Sequence, residues 1–202
     1  MKIFCIGRNY VEHIRELNNV ATGKPLVFMK PPTALLLENK PLYYPEFTKN
    51  LHHEVEIVLR ISKNGKAIQP QFAQRYYDKI ALGIDFTARD VQDDLKAKGH
   101  PWELAKGFDG SAVLSSFVDL KNFDATKIAF SLTKNGETVQ AGTTQEMIFS
   151  FNALVGFLSN YFTLQQGDLI YTGTPAGVGA VKVGDRLEGF LEGQSMFVCE
   201  IK

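Results

Sequence analysis

Short apolar runs, separated by Gly and Pro, dominate the chain and predict a fold built mainly from strands. In residues 54–61 every second side chain from Val55 to Ile61 is apolar, while Glu54, Glu56 and Arg60 fall on the opposite face. This alternation predicts a strand with one face in the core. Further strands are predicted over residues 2–6, 26–29, 34–37, 79–86, 128–134, 169–171, 181–183 and, with a turn between them, within 186–201.

Helix signals are fewer. Asn9 precedes Glu12 by three residues, a spacing that can cap a helix over residues 10–18. A capping-box pattern that begins at Thr87 predicts a second helix, which Gly99 would close. A third helix is predicted over residues 144–161, with a buried face made of Met147, Ile148, Leu154, Phe157 and Leu158. The predicted class is therefore α+β, mainly β, with residues 1–202 forming one domain.

Composition excludes several functions. The chain has 22 basic and 22 acidic residues, so no net charge favours nucleic acid or an anionic membrane as a partner. The apolar stretch at the start is too short for a secretory signal, and no segment approaches the roughly 18 apolar residues of a membrane span. Cys5 and Cys199 have no second ligand at zinc-site spacing and are predicted to be buried, reduced thiols. A cytoplasmic location is the expectation.

A pair of carboxylates is the first chemical signal. Glu54 and Glu56 are two residues apart on the predicted strand, which places both carboxylates on one face within about 7 Å. A cation would relieve their repulsion, and oxygen ligands suit Mg²⁺, Mn²⁺ or Ca²⁺ better than zinc. Asp85, at the end of another strand, is the candidate third ligand. The alternative is that the pair lies on the solvent-exposed face of an edge strand.

A group of anion-binding residues follows Asp85. Arg89 and Gln92 are three residues apart, on one face near a helix N-terminus, where a carboxylate could bind. Lys106 could add a second positive charge, although a surface salt bridge explains each of these residues as well. Thr174 lies in a glycine-rich loop whose backbone N–H groups and hydroxyls could bind an anion, although the loop lacks the features of a phosphate-binding loop. The alternative is that this loop is only a tight turn.

A candidate base lies on the first predicted helix. His13 and Glu16, at positions i and i+3, could form a dyad in which Glu16 orients the imidazole and His13 removes a proton from water. The alternative is an ordinary pair on an exposed helix surface.

Taken together, these segments resemble the fumarylacetoacetate hydrolase family, and most closely its short branch of acylpyruvases and oxaloacetate decarboxylases. The match covers nearly the whole chain. The residues that carry it are Gly7-Arg8-Asn9-Tyr10, His13 with Glu16, Phe28-Met29-Lys30-Pro31, His52-His53-Glu54-Val55-Glu56, Asp85-Phe86-Thr87-Ala88-Arg89-Asp90-Val91-Gln92, residues 102–106 and Gly173-Thr174-Pro175.

The resemblance implies a mixed β-roll of several packed sheets, usually a homodimer, with Mg²⁺ or Mn²⁺ on Glu54, Glu56 and Asp85. It implies His13, Glu16 and Lys106 as the catalytic groups, with His13 and Glu16 on a lid. It also implies that a small 2-keto acid is held by Lys30, Arg89, Gln92, Gly173 and Thr174.

The first hypothesis for the reaction is hydrolysis of an acylpyruvate to pyruvate and a carboxylic acid. The metal would stabilise the pyruvate enolate that cleavage at C3 generates. The alternatives are decarboxylation of oxaloacetate, isomerisation of unsaturated 2-keto diacids, and a non-catalytic module that binds a keto acid.

Overall fold

The computed structural model describes residues 1–16, 23–37 and 39–202, and in this part of the chain strands far outnumber helices. The strands are β1 (Ile3–Gly7), β2 (Leu26–Lys30), β3 (Leu35–Leu36), β4 (Leu51–His53), β5 (Val55–Ile61), β6 (Tyr77–Asp85), β7 (Thr87–Ala88), β8 (Ala112–Leu114), β9 (Val118–Asp119), β10 (Ala129–Lys134), β11 (Glu137–Thr143), β12 (Leu169–Tyr171), β13 (Gly179–Ala180), β14 (Arg186–Leu191) and β15 (Gln194–Glu200). The helices are α1 (Val11–Glu16), α2 (Arg89–Ala97), α3 (Glu103–Lys106) and α4 (Phe151–Tyr161), and 3-10 helices occupy Pro32–Ala34, Pro70–Arg75, Leu120–Asn122 and Thr144–Glu146. The predicted α+β class, mainly β, is confirmed.

The described strands form three sheets. The largest has the order β2-β1-β12-β5-β6-β8-β3, with β9 paired to β6. It is mixed, because β1 runs parallel to β12 and β3 parallel to β8, while its other pairs are antiparallel. A four-stranded sheet, β11-β10-β14-β15, packs against β5 and β6, and β13-β4-β7 form a small third sheet. This arrangement of packed sheets confirms the predicted mixed β-roll.

The largest sheet is buried on both faces, which differs from the single core face predicted for β5. Val58, on the face assigned to solvent, is 0% exposed and packs with Ala81 and Tyr171. The alternation of apolar and polar residues predicted that only the apolar face of β5 is buried, because the opposite face carries the charged residues Glu54 and Glu56. These carboxylates are buried as well, so the polar positions mark a site inside the fold.

The helix predicted over residues 144–161 is interrupted. After the 3-10 turn, the backbone N–H of Ile148 donates to the Asn9 carbonyl at 2.9 Å and that of Phe149 to Asn9 Oδ1 at 2.7 Å. These bonds draw the chain away from helical geometry, and α4 begins only after Ser150, whose hydroxyl accepts from the Ala153 N–H. Leu154 and Leu158 are buried as predicted, whereas Ile148 is 39% exposed.

Two predicted helix caps are also wrong. The Asn9 side chain donates to the carbonyls of Phe149 and Thr172 instead of capping α1. Thr87 does not cap α2, which starts after Ala88 without a side-chain cap. Gly99 does follow the end of α2 with φ +66°, as predicted. The last two residues of the helix predicted over 10–18 lie outside the described residues.

Other predictions have mixed outcomes. Residues 181–183 form part of the connection between β13 and β14, not a strand. Cys5 and Cys199 are buried free thiols, as predicted. None of the described helices is long and apolar enough to cross a membrane.

Candidate active site

Three buried carboxylates meet where β5 and β6 pair. Glu56 lies in β5 opposite Gly83, and Val55 lies opposite Ile84, so this antiparallel register brings Glu54 beside Asp85, the last residue of β6. The Asp85 N–H donates to the Glu54 carbonyl at 2.8 Å and fixes this approach. One oxygen from each of Glu54, Glu56 and Asp85 lies within 4.8 Å of the others.

The three carboxylates are 5%, 2% and 1% exposed, respectively, so they do not lie on a solvated edge strand. Burial of three like charges is unfavourable unless cations neutralise them. The alternative that Glu54 and Glu56 lie on the solvent-exposed face of an edge strand is therefore wrong.

Three buried cations surround the cluster. Lys106 Nζ lies 2.7 Å from Glu54 Oε2 and 2.8 Å from Asp85 Oδ2. Arg89 Nη2 lies 2.5 Å from Glu54 Oε1, and Lys30 Nζ lies 2.8 Å from Asp85 Oδ1. Charge-assisted contacts of this length, away from water, hold the side chains in one geometry.

The cations are distributed unevenly over the carboxylates. Burial alone would raise the pKa of Glu54, but Lys106 and Arg89 outweigh it and hold that pKa well below its usual value. For Glu56, burial is reinforced by Asp85 and Glu54, and its pKa is well above its usual value. Within the described residues, Glu56 makes no ion pair; its closest support is the Gly173 N–H, which donates to Oε2 at 2.7 Å.

The donor set fits a divalent metal ion. Three converging carboxylates provide the hard oxygen ligands that Mg²⁺ and Mn²⁺ prefer, and a cation would supply the positive charge that Glu56 lacks. The cluster is therefore compatible with a divalent metal site.

Gly173 places its N–H on Glu56 through a conformation that other residues rarely adopt. It follows β12 with φ +105°, and an added Cβ would lie 2.6 Å from the Asn9 Cβ. A side chain here would require both a strained backbone and a displaced Asn9. The resemblance implied that Gly173 binds substrate. In the structure, its N–H instead donates a hydrogen bond to Glu56, a carboxylate of the cluster.

Gln140, on β11, makes a hydrogen bond to Thr174, the residue after Gly173. The sequence did not predict this role of Gln140. Its Oε1 accepts from the Val55 N–H at 3.0 Å and contacts His53 Nδ1 at 2.9 Å. Its Nε2 donates to Thr174 Oγ1 at 2.8 Å and to the Pro175 carbonyl at 3.0 Å. Because Thr174 Oγ1 accepts this bond, its own hydrogen remains available to another acceptor. Nothing in the sequence of β11 marks Gln140 as functional.

The structure brings His13 and Glu16 together at the cleft. His13 is 5% exposed, and its Nδ1 lies 3.5 Å from Glu16 Oε2. Glu16 also accepts the Gly177 N–H, at 3.1 Å. Burial lowers the pKa of His13, against the opposing influence of Glu54 and Glu16. A neutral imidazole at neutral pH can accept a proton.

These groups share one cleft of about 410 Å³, including its part open to solvent. The cleft is lined by Ile6, Gly7, Arg8, His13, Leu26, Phe28, Glu54, Glu56, Asp85, Arg89, Gln92, Lys96, Trp102, Lys106 and Thr174. Lys30 lies behind this wall, where its ammonium also donates to the carbonyls of Phe86 and Ser111. Most of the predicted site residues therefore converge on one space, with Lys30 and Gly173 supporting the carboxylates.

The β-roll, with a cleft that combines three buried carboxylates with Arg89 and Lys106, defines a candidate enzyme whose site is compatible with a divalent metal ion. Residues 2–202 match the fumarylacetoacetate (FAA) hydrolase C-terminal family. The chain belongs to this family, as its sequence pattern indicated.

Several relatives have named activities. The chain is 43% identical over 192 residues to human mitochondrial oxaloacetate tautomerase FAHD1, covering 95% of this chain and 87% of that protein. It is 38% identical over 197 residues to oxaloacetate tautomerase YcgM of Escherichia coli, covering 96% and 90%. A crystal structure of fumarylpyruvate hydrolase from Pseudomonas aeruginosa, in complex with Mn²⁺ and pyruvate, superposes with a TM-score of 0.94 at 35% identity and covers 100% and 89% of the two chains. These relatives process keto acids but differ in the reaction.

Proposed function

We propose that this protein is a divalent-metal-dependent enzyme that stabilises the enolate of small 2-keto acids, and that it interconverts the enol and keto forms of oxaloacetate. The observation that carries the proposal is the buried cluster of Glu54, Glu56 and Asp85, which shares its cleft with Arg89 and Lys106. The two tautomerase relatives support the choice of substrate.

Glu54, Glu56 and Asp85 are proposed to hold Mg²⁺ or Mn²⁺. When bound, the ion would supply positive charge that stabilises the enolate of the 2-keto acid. The three carboxylates already have Lys30, Arg89 and Lys106 beside them. A divalent ion therefore leaves the site with surplus positive charge, which suits an anionic substrate.

Arg89 and Gln92 are proposed to hold the substrate carboxylate at the start of α2. Arg89 uses one N–H on Glu54 and another on Gln92 Oε1, at 2.6 Å, so further guanidinium N–H groups remain for a ligand. Because Gln92 Oε1 accepts from Arg89, its amide NH₂ is oriented as a donor. The Thr174 hydroxyl, held by Gln140, can donate to another substrate oxygen.

His13 is proposed to move the proton. Tautomerisation transfers one proton between the 2-oxygen and C3, so one base that takes up the proton and returns it is sufficient. His13 lines the cleft, and Glu16 lies beside Nδ1, which leaves Nε2 for the substrate. Lys30 has a supporting role, because its ammonium holds Asp85 in position.

Hydrolysis of acylpyruvates is a second candidate activity. The pair of His13 and Glu16 could activate a water, which would attack the distal carbonyl while pyruvate enolate leaves. The similarity to a fumarylpyruvate hydrolase supports this reaction. Decarboxylation of oxaloacetate passes through the same enolate but needs no activated water.

The test is a pair of assays on metal-stripped protein with and without Mg²⁺. The first follows the ultraviolet absorbance of the oxaloacetate enol, and the second follows pyruvate release from acetylpyruvate. Faster loss of the enol with Mg²⁺ than without supports the tautomerase. If Mg²⁺ accelerates only pyruvate release, the hydrolase replaces it as the main activity, and an effect on neither reaction refutes the proposal.

A further inference from the structure

Lys96 is a half-buried lysine in the cleft wall that none of the roles above uses. It follows Gln92 by four residues and Arg89 by seven, so the three side chains share one face of α2. A rise of 1.5 Å per residue puts Lys96 about 6 Å further along the helix axis than Gln92. Lys96 therefore stands beyond the groups proposed to hold the keto acid, on the same side of the helix.

The partners of Lys96 differ from those of the neighbouring lysines. Lys106 pairs with two buried carboxylates, and Lys98, on the same helix, pairs with Asp94 at 2.8 Å. Across residues 1–16, 23–37 and 39–202, Lys96 makes no ion pair; its ammonium lies 5.4 Å from the centre of the Trp102 ring. The ring shields the lysine from water on one side without neutralising its charge.

The charges around Lys96 are mixed, but burial and the cations together outweigh the anions. Burial lowers the pKa of Lys96 and Arg89 lowers it further, while Asp93 and Glu54 oppose this lowering. Arg8, which also lines the cleft, adds to the lowering. A partly desolvated cation beside two others is stabilised by an anion.

We propose that Lys96 binds a second carboxylate at the distal end of the 2-keto acid, so that dianionic keto acids bind better than those that end in an alkyl group. The inference rests on the proposed function, because it assumes that the 2-keto end lies at Arg89 and the carboxylate cluster. Ordinary bond lengths place the two carboxylate carbons of an extended four- or five-carbon diacid roughly 4–5 Å apart, and their outer oxygens somewhat further, which is comparable to the offset of about 6 Å between Gln92 and Lys96 along the helix.

The test compares two keto acids of equal length that differ only at the distal end. Calorimetry on Mg²⁺-loaded protein would measure the Kd of 2-ketoglutarate, a dianion, and of 2-ketopentanoate, a monoanion. In Lys96→Gln, binding of 2-ketoglutarate is expected to weaken roughly tenfold and that of 2-ketopentanoate less than about twofold. Lys96→Arg should retain most of the preference. Lys98→Gln, the matched control on the same helix, should behave as the wild type.

Each outcome separates this inference from the proposed function. If the wild type binds both keto acids and Lys96→Gln leaves the ratio of the two Kd values unchanged, the role of Lys96 is wrong while the keto-acid site stands. An equal loss for both ligands would likewise overturn it, since the lysine would then not discriminate. If metal-loaded wild type binds neither keto acid, the proposed function fails at its first step.

Discussion

At the scale of single residues, Glu56 is the group that most needs a cation. It is buried beside Glu54 and Asp85, and its pKa is raised first by burial and then by these two neighbours. The neighbouring Glu54, in contrast, is held ionised by Lys106 and Arg89. The pKa values of two glutamates that are two residues apart are thus shifted in opposite directions.

Replacing Glu56 by Gln should separate metal binding from stability. We expect Mg²⁺ affinity to fall at least roughly 100-fold, because a ligand charge is lost, while the metal-free variant melts at a higher temperature than metal-free wild type. The Gln side chain can still accept the Gly173 N–H. Calorimetry and thermal melting would measure the two effects, with exposed Glu137→Gln as the control. Undiminished Mg²⁺ affinity would rule out Glu56 as a ligand.

The pH dependence of hydrolysis should report His13. The base must be neutral, and burial lowers its pKa below the usual 6.5, so kcat/KM for acetylpyruvate should hold from neutral pH to below 6.5 before it declines. Glu16 raises that pKa, so Glu16→Gln should move the decline to lower pH and reduce kcat. Profiles at saturating Mg²⁺ would test this.

Two variants serve as references for the pH profiles. Glu12→Gln alters an exposed carboxylate of the same helix, which pairs with Arg15, and should leave the profile unchanged. His13→Ala should lose most of the hydrolysis yet bind Mg²⁺ normally. A decline at or above pH 6.5 in the wild type would argue against a buried neutral base.

At the scale of elements, the sequence predicted what local periodicity controls. The strands around Glu54 and Asp85 follow from short apolar runs, and their pairing places the ligands together. The uninterrupted helix predicted over 144–161 was wrong, since the hydrogen bonds that Ile148 and Phe149 donate to the distant Asn9 decide where α4 begins. Gln140 had no local signal at all, because its four contacts come from other parts of the chain. Lys96, by contrast, could have been found from its helical spacing to Arg89.

Gln140 connects β11 to β4, β5 and the loop after β12 through hydrogen bonds. Its replacement should therefore lower both the stability of the fold and the affinity for substrate. We expect Gln140→Leu to lower the free energy of unfolding by about 2–4 kcal/mol, because the buried Val55 N–H and its neighbours lose their partner. The KM for oxaloacetate should rise as Thr174 loses its orientation, with Mg²⁺ affinity retained. Urea unfolding and kinetics would measure this beside exposed Gln145→Leu. Equal stability of the two variants would show that the network contributes nothing.

At the scale of the whole molecule, metal binding should stabilise the fold. A ligand that binds only the folded state at 100 times its Kd adds about 2.7 kcal/mol, which for a chain of this length raises Tm by roughly 5–10 °C. We expect such a rise on adding Mg²⁺ to stripped wild type and a rise of at most about 2 °C in Glu56→Gln, whose affinity is predicted to be about 100-fold lower. Equal shifts in both proteins would mean that Mg²⁺ acts elsewhere.

The family resemblance also leads us to propose a homodimer. Sedimentation equilibrium should then give twice the mass of the chain across micromolar concentrations. A monomer mass throughout that range would reject this assembly.

A divalent ion on Glu54, Glu56 and Asp85 is proposed to promote enolate chemistry. The most direct measurement is the rate of enol-to-keto conversion of oxaloacetate by metal-stripped protein, before and after addition of Mg²⁺, in wild type and Glu56→Gln. We expect Mg²⁺ to accelerate the conversion in the wild type and to have little effect in the variant. A wild-type rate that is the same with and without Mg²⁺, or an equal acceleration of the variant, would contradict this proposal.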